Sequence, residues 1–390
     1  MKYTFLFYFC LCFTSWAQHP AISEAQLVFP PQNEHVHGNS HVRLPNGDYL
    51  MVWFQGSGER KSDDVRLMGA RLRAGSKTWS APFLMADTPG IPDCNPVLFF
   101  NSSGTLFLVW IAVQANQWEQ SLLRFKTSRD FLQPGPPKWN WQDNILLKPG
   151  EEFAEEVQKK WKDLPPSGSG WAGYAPSYDA MIQEASRDAS KRSWGWMTRI
   201  KPLILAQGRI LLPLYSDGLN MGLMAISDDD GQSWKPSLPL VGRGPIQPSL
   251  TLNKDGSILA LCRDSGDDPA RVQRSVSKDQ GMTWSAAEKT DIPNTASVES
   301  LVLNDGRLAM VLNDNSDGRY RLSLWISADE GLTWTWKIPI EQTEKGRGSF
   351  SYPSLSQDPQ GMLHVSYSAH HSNNQKSIKY LCIDPKKIKP

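Results

Sequence analysis

The chain has 390 residues, with 41 Lys and Arg against 40 Asp and Glu, for a formal net charge of +1. That balance excludes the strongly basic surface that binding to nucleic acid or to an anionic membrane requires. Its 16 Trp, 29 Gly and 28 Pro suit strands, turns and aromatic-lined surfaces rather than a helical bundle.

The N-terminus reads as a secretion signal. Lys2 precedes the short apolar run Tyr3 to Phe13, and Ser15-Trp16-Ala17 offers small residues for cleavage before Gln18. The run is too short to cross a bilayer as a helix. Residues 1–17 are therefore expected to be removed, leaving 18–390 as a secreted or periplasmic protein with no membrane span. A lipid anchor at Cys10 or Cys12 is the weaker alternative, because Phe-Thr-Ser-Trp follows. The remaining Cys94, Cys262 and Cys382 are odd in number and widely spaced. They fit neither a disulfide framework nor a Cys-based zinc site and read as buried thiols.

Internal repeats follow. Ser227 to Trp234 (SDDDGQSW), Ser277 to Trp284 (SKDQGMTW) and Ser327 to Trp334 (SADEGLTW) share the pattern S-x-D-x-G-x-[ST]-W, with their Trp residues 50 positions apart. Degenerate copies stand at Ser76-Lys77-Thr78-Trp79 and Ser128-Arg129-Asp130. In each box the Asp can accept N–H groups a few residues on, Gly supplies a positive φ, and Trp packs back into the sheet. The boxes are thus structural, and the acidic run at 228–230 lacks the rest of a calcium loop.

Out of phase with the boxes, a polar residue and Gly recur at Asn46-Gly47, Ser103-Gly104, Gln207-Gly208, Asp255-Gly256, Asp305-Gly306 and Gln360-Gly361. Each is followed by a strand-like run: 49–54, 106–113, 210–215, 258–262, 308–312 and 363–367. A period near 50 with several short strands per unit predicts an all-β, six-bladed β-propeller. Ala25 to Phe29 is expected to pair with the last blade and close the ring.

The interval between Gly104 and Gly208 is too long by about one repeat of this period. The excess lies near 149–196. There Glu151 to Asp163 places Phe153, Val157 and Trp161 on one helical face, and Tyr178 to Trp194 also reads as helix. Pro165 to Gly170 reads as a loop between them. This helical insertion is either a wall or lid over the central pocket or a solvent-facing decoration.

With its boxes and six blades the mature chain resembles the sialidase (neuraminidase) superfamily. His37 to Gly47 matches the start of the family's first blade, although His37 stands where the family has its first carboxylate-binding Arg. The resemblance assigns the acid/base to Asp63 or Asp64, with Asp64 preferred. It assigns carboxylate binding to Arg263 and Arg319, with Arg321 as the runner-up to Arg319, and the nucleophile to Tyr352. Where the family's Glu polarises that Tyr, this chain has Gln247. The segments Asn95 to Phe99, Ile246 to Leu250 and Tyr352 to Leu355 resemble a bacterial and plant branch of sialidase-like proteins.

The resemblance implies an exo-acting glycoside hydrolase, monomeric and without cofactor or metal, that cleaves a terminal acidic sugar from a glycan. A neutral phenol suits attack beside a carboxylate, which would repel a second carboxylate. Arginines would hold the carboxylate through charge-assisted bonds. Neither His37 nor Gln247 can do the work of the group it replaces. Asp217, Asp264 and Glu299 are possible substitute bases near predicted strand ends. Two alternatives remain: a uronate-directed enzyme, lyase or hydrolase, using His37 and Tyr352, and a glycan-binding propeller without catalysis. Adjacent His370 and His371 on a strand point opposite ways, so no metal is read there.

Overall fold

A computed structural model describes residues 19–170 and 178–388. The signal segment lies outside the described residues. Six antiparallel sheets form the blades of a propeller. Their innermost strands are His35–Arg43, Asp93–Phe100, the pair Met197–Thr198 and Leu203–Ile204, Pro245–Leu252, Glu299–Val302 and Gly348–Gln357. We number the blades 1 to 6 in this order. In blade 3 the inner strand is interrupted at Arg199–Pro202, and both pieces pair with Ile210–Ser216.

The predicted second strands are observed where the repeat placed them, for example Leu106–Val113 and Ile210–Ser216, and every residue of these two is buried. Neighbouring blades cover both faces of such strands, so they read as continuous apolar runs. Ring closure is made by Ile22–Leu27, the outer strand of blade 6, which pairs antiparallel with Lys376–Ile383. The strand begins three residues before the predicted segment.

All three complete boxes share one hydrogen-bond pattern. Ser227, Ser277 and Ser327 accept the N–H of Gly231, Gly281 and Gly331 at 2.8, 2.9 and 2.8 Å. In the last box the Asp329 carboxylate accepts Thr333 N–H at 2.8 Å and its hydroxyl at 2.6 Å. The Thr333 hydroxyl and N–H hold Asp329 down at about 2. A depressed folded pKa contributes stability above the unfolded value near 3.9 that is lost as pH falls toward the folded value. Asp329→Ala is therefore expected to cost about 1–2 kcal/mol in urea unfolding at neutral pH. The gap from wild type should shrink as pH falls from about 4 toward 2.

The insertion contains three described helices. The first, α1 (Glu151–Trp161), buries Phe153, Val157 and Trp161 as predicted. The second expected helix is instead two, α2 (Tyr178–Arg187) and α3 (Ala189–Ser193). The break falls at Asp188, whose carboxylate accepts Ser190 and Lys191 N–H groups and so caps α3. The insertion joins the outer strand of blade 2 to the inner strand of blade 3. It therefore emerges on the face opposite the Gly turns and boxes.

Arg243 clamps it through two bonds to Asp179, at 3.0 and 2.7 Å, and Asn220 donates to the Tyr178 hydroxyl at 2.8 Å. It flanks the loops that follow Tyr215 and Arg263. Cys94, Cys262 and Cys382 are free and buried. Among the described residues no helix is long and apolar enough to cross a membrane.

Candidate active site

Four inner strands carry a bulge at the same level. Pairing shifts between His37 and Ser40, Cys94 and Val97, Ile246 and Ser249, and Ser351 and Ser354. The bulge residues Gly38, Asn95, Gln247 and Tyr352 have φ of +58°, +50°, +53° and +57°. For a residue with a Cβ this conformation costs about 1–3 kcal/mol. Bulges re-aim side chains, and such outliers cluster at functional sites. Pro96, Pro248 and Pro353 follow three of them, which disfavours a relaxed α conformation at the preceding residue.

Each of these residues lies nine positions before its turn glycine. The same count gives Arg199 in blade 3 (208 − 9) and Ser297 in blade 5 (306 − 9). The six inner strands thus present Gly38, Asn95, Arg199, Gln247, Ser297 and Tyr352 at equivalent places around the axis.

Tyr352 is the centre of this ring. Its aromatic face stacks on His37, with centroids 4.1 Å apart and planes at 24°. The guanidinium carbons of Arg199 and Arg319 lie 4.7 and 5.3 Å from its ring centroid. Gln247 donates Nε2–H to its hydroxyl at 3.4 Å. Asn95 donates to the hydroxyl of the neighbouring Tyr215 at 3.2 Å. Burial, then its neighbour His370 and the nearby Arg319, hold His37 well below the usual imidazole range. His37 is therefore neutral, and its buried Nδ1 has no partner among the described residues.

Above the ring lies a basin of mixed charge. Burial raises the Glu59 carboxyl, against the opposing pull of Arg60, Arg319 and Arg263, while Asp217 adds to the rise. Burial likewise raises Asp217, which feels Arg263, Glu119 and Arg60. Asp217 is open to solvent yet recessed among protein atoms, so its exposed surface understates how few water dipoles surround it. Arg263 and Arg319 are both partly exposed. Arg321 is engaged elsewhere, donating to Asp314 at 2.6 Å.

The preferred acid/base residues of the sequence reading are not in this basin. Asp64 accepts the Ser57 N–H at 3.0 Å and the Ser57 hydroxyl at 2.8 Å, closing the neck of its loop. Asp63 accepts from Asn116 at 2.9 Å. Both are exposed, and the loop tip instead carries Glu59 and Arg60 to the arginines. Of the substitute bases, Asp264 is held by Lys289 at 2.8 Å and Gln273 at 3.0 Å. Glu299 accepts Leu355 N–H at 3.0 Å and pairs with Lys201 at 3.3 Å, below the ring. Only Asp217 among the three faces the basin.

A cavity of about 610 Å³ opens at the other end of the axis, lined by apolar groups such as Val42, Phe99, Leu203 and Leu301. Its one ion pair, Lys201 with Glu299, is internally matched. The strained backbone and the unmatched charges instead mark the Tyr352 end.

A family model described as BNR repeat-like domain matches residues 47–160 and 195–365, well over half of the chain. No curated protein sequence is significantly similar. Among solved structures, a Dyadobacter fermentans protein of unknown function superposes with a TM-score of 0.68 at 16% identity, covering 95% of this chain and all of that one. The NanB sialidase of Streptococcus pneumoniae superposes at 0.65 and 13% identity, covering 93% of this chain and 71% of its own. The intramolecular trans-sialidase of Ruminococcus gnavus superposes at 0.64 and 14% identity, covering 91% and 96%. At such identities these likenesses show the fold, and the family model adds the lineage: the chain belongs to the BNR repeat-like family.

Proposed function

We propose that the protein is an exported, exo-acting glycoside hydrolase that removes a terminal acidic sugar. The observation that carries this is Tyr352, held in a strained bulge with Gln247 donating to its hydroxyl, Arg319 against its ring and a basin of arginines and protonatable carboxyls above it.

In this reading Arg263 and Arg319 hold the sugar carboxylate. Arg60 supplies a further positive charge in place of the neutral His37. Glu59, raised by burial, is poised to protonate the leaving oxygen and then to activate water. Tyr352 attacks the anomeric carbon, and the Gln247 donor and the nearby Arg319 charge stabilise its oxygen when the glycosyl bond breaks again. Gln247 has no basic atom for the phenolic proton. Asp217, beside Tyr215 and Arg263, is the carboxylate of the basin left to take it.

His37 acts as a ring support beneath Tyr352. Its burial weighs against the uronate eliminase that would use it as a proton shuttle. The test is release of 4-methylumbelliferone from acidic α-glycosides, a sialoside first, by wild type and Tyr352→Phe. Turnover lost in the variant supports the reading. A folded wild type inactive on sialosides and other acidic glycosides overturns it, as does an unsaturated sugar product.

A further inference from the structure

We propose a second carbohydrate site, a non-catalytic surface groove between blades 2 and 3 on the face opposite Tyr352. In blade 2 the degenerate box does not close compactly. Its chain at 131–137 folds back toward blade 1, where Arg71 donates to the carbonyls of Phe131 and Gly135 at 2.7 and 2.6 Å. The outer strand Trp141–Asn144 is left with all four residues exposed.

Beside this strand is a cavity of about 560 Å³. Pairing sets its wall. Phe107 faces Thr127, Thr127 faces Trp141, and Phe125 faces Asp143, so these side chains share one face of the sheet. The box Trp234 of blade 3 lines the other side.

The chemistry of the groove matches a pyranose. A sugar ring has an apolar C–H face and a hydroxyl edge, and it needs an aromatic platform beside planar hydrogen-bonding groups. Trp141 is 60% exposed and supplies the platform. Arg129 spends Nε on Thr105 at 3.2 Å, and its two terminal nitrogens have no partner among the described residues. Among the described residues Asp143 accepts only the neighbouring Asn144 N–H, at 2.8 Å. An all-apolar partner surface would leave these polar groups unmet, whereas a glycan satisfies them.

The choice of ligand rests on the glycan-active reading of the axial site. The groove itself does not, because none of its residues belongs to that site. A surface site of this kind tethers a polymeric substrate to the protein and so raises its effective concentration at the distant catalytic face.

The test is native electrophoresis in gels containing mucin or, separately, polygalacturonate, with wild type, Trp141→Ala and Tyr352→Phe. Wild type and Tyr352→Phe should be retarded equally. Trp141→Ala should migrate as in a probe-free gel, with its thermal midpoint and its turnover of a small fluorogenic glycoside unchanged. Retardation that survives Trp141→Ala, that is lost in Tyr352→Phe, or that is absent from wild type in both gels overturns the proposal. Retardation through Trp141 in a protein with no turnover would sink the hydrolase reading alone. Turnover without a Trp141-dependent shift would sink this one alone.

Discussion

Glu59→Gln is expected to lower kcat/KM on natural glycosides by about 10²–10⁴-fold, the usual worth of a positioned general acid. Asp64→Asn should cost less, no more than about tenfold, since its amide oxygen can still accept the Ser57 N–H that ties the loop neck and one lost hydrogen bond is worth about 1 kcal/mol. The contrast separates the two carboxylates of one loop. Asp64 is spent on the Ser57 N–H and hydroxyl, whereas Glu59 faces Arg60, Arg319 and Arg263.

The loss at Glu59 should be smaller on an aryl glycoside, whose leaving group needs less protonation. Since burial raises the Glu59 carboxyl, the wild-type kcat/KM should fall as pH rises through that raised value, and the variant should lose this limb. Stability should move the other way. A carboxyl raised on folding contributes fully below its unfolded value, and that contribution is lost as pH climbs to the folded value. Glu59→Gln should therefore melt at or above the wild-type temperature at neutral pH while being the less active protein. A variant that loses activity and stability together would indicate a structural role instead.

The difference between Glu59 and Asp64 also shows what the sequence can carry. Boxes and Gly turns are local hydrogen-bond devices, so their spacing revealed the blades, their second strands and the ring closure before any coordinates. Tyr352 and Gln247 sit on inner strands and Arg263 on a second strand whose register those turns fix, Arg319 stands just before the third strand of blade 5, and the structure brings all four together. The loop at 57–64 has no such ruler. Which carboxylate reaches the basin depends on Asp64 tying the neck of its own loop, a choice invisible in a list of acidic residues.

Arg199 was legible but unread. The insertion before it hides the repeat, yet it too stands nine residues before its turn glycine, as Tyr352 does. The break between α2 and α3 had a readable cause as well, since Asp188 is a good N-cap. The exposed edge at Trp141 depends on where a degenerate box folds, which is a tertiary outcome.

Arg199 carries the other large expectation. It is 2% exposed, donates to the Pro353 carbonyl at 2.7 Å and to the Asn39 carbonyl at 3.4 Å, and supports the Tyr352 ring from beneath. Asn39 in turn donates to the Tyr352 carbonyl at 3.0 Å. The guanidinium therefore braces both sides of the bulge that holds Tyr352 in its strained conformation. Arg199→Met keeps the apolar stem but leaves two buried carbonyls short of a donor, at a cost of about 2–4 kcal/mol by denaturant unfolding.

The functional consequence follows from geometry rather than from lost contact with substrate. A Tyr352 free to relax toward ordinary strand geometry swings off the axis, and small misplacements of a reacting group cost about 10²-fold in rate. The loss should fall on kcat with KM little changed, because Arg263 and Arg319 still hold the sugar. Arg199→Lys restores the charge but not the fork that spans two carbonyls, so it should recover stability more than rate. A rise in KM at constant kcat would instead place Arg199 among the groups that touch the substrate, and the brace would have to be sought elsewhere in the ring.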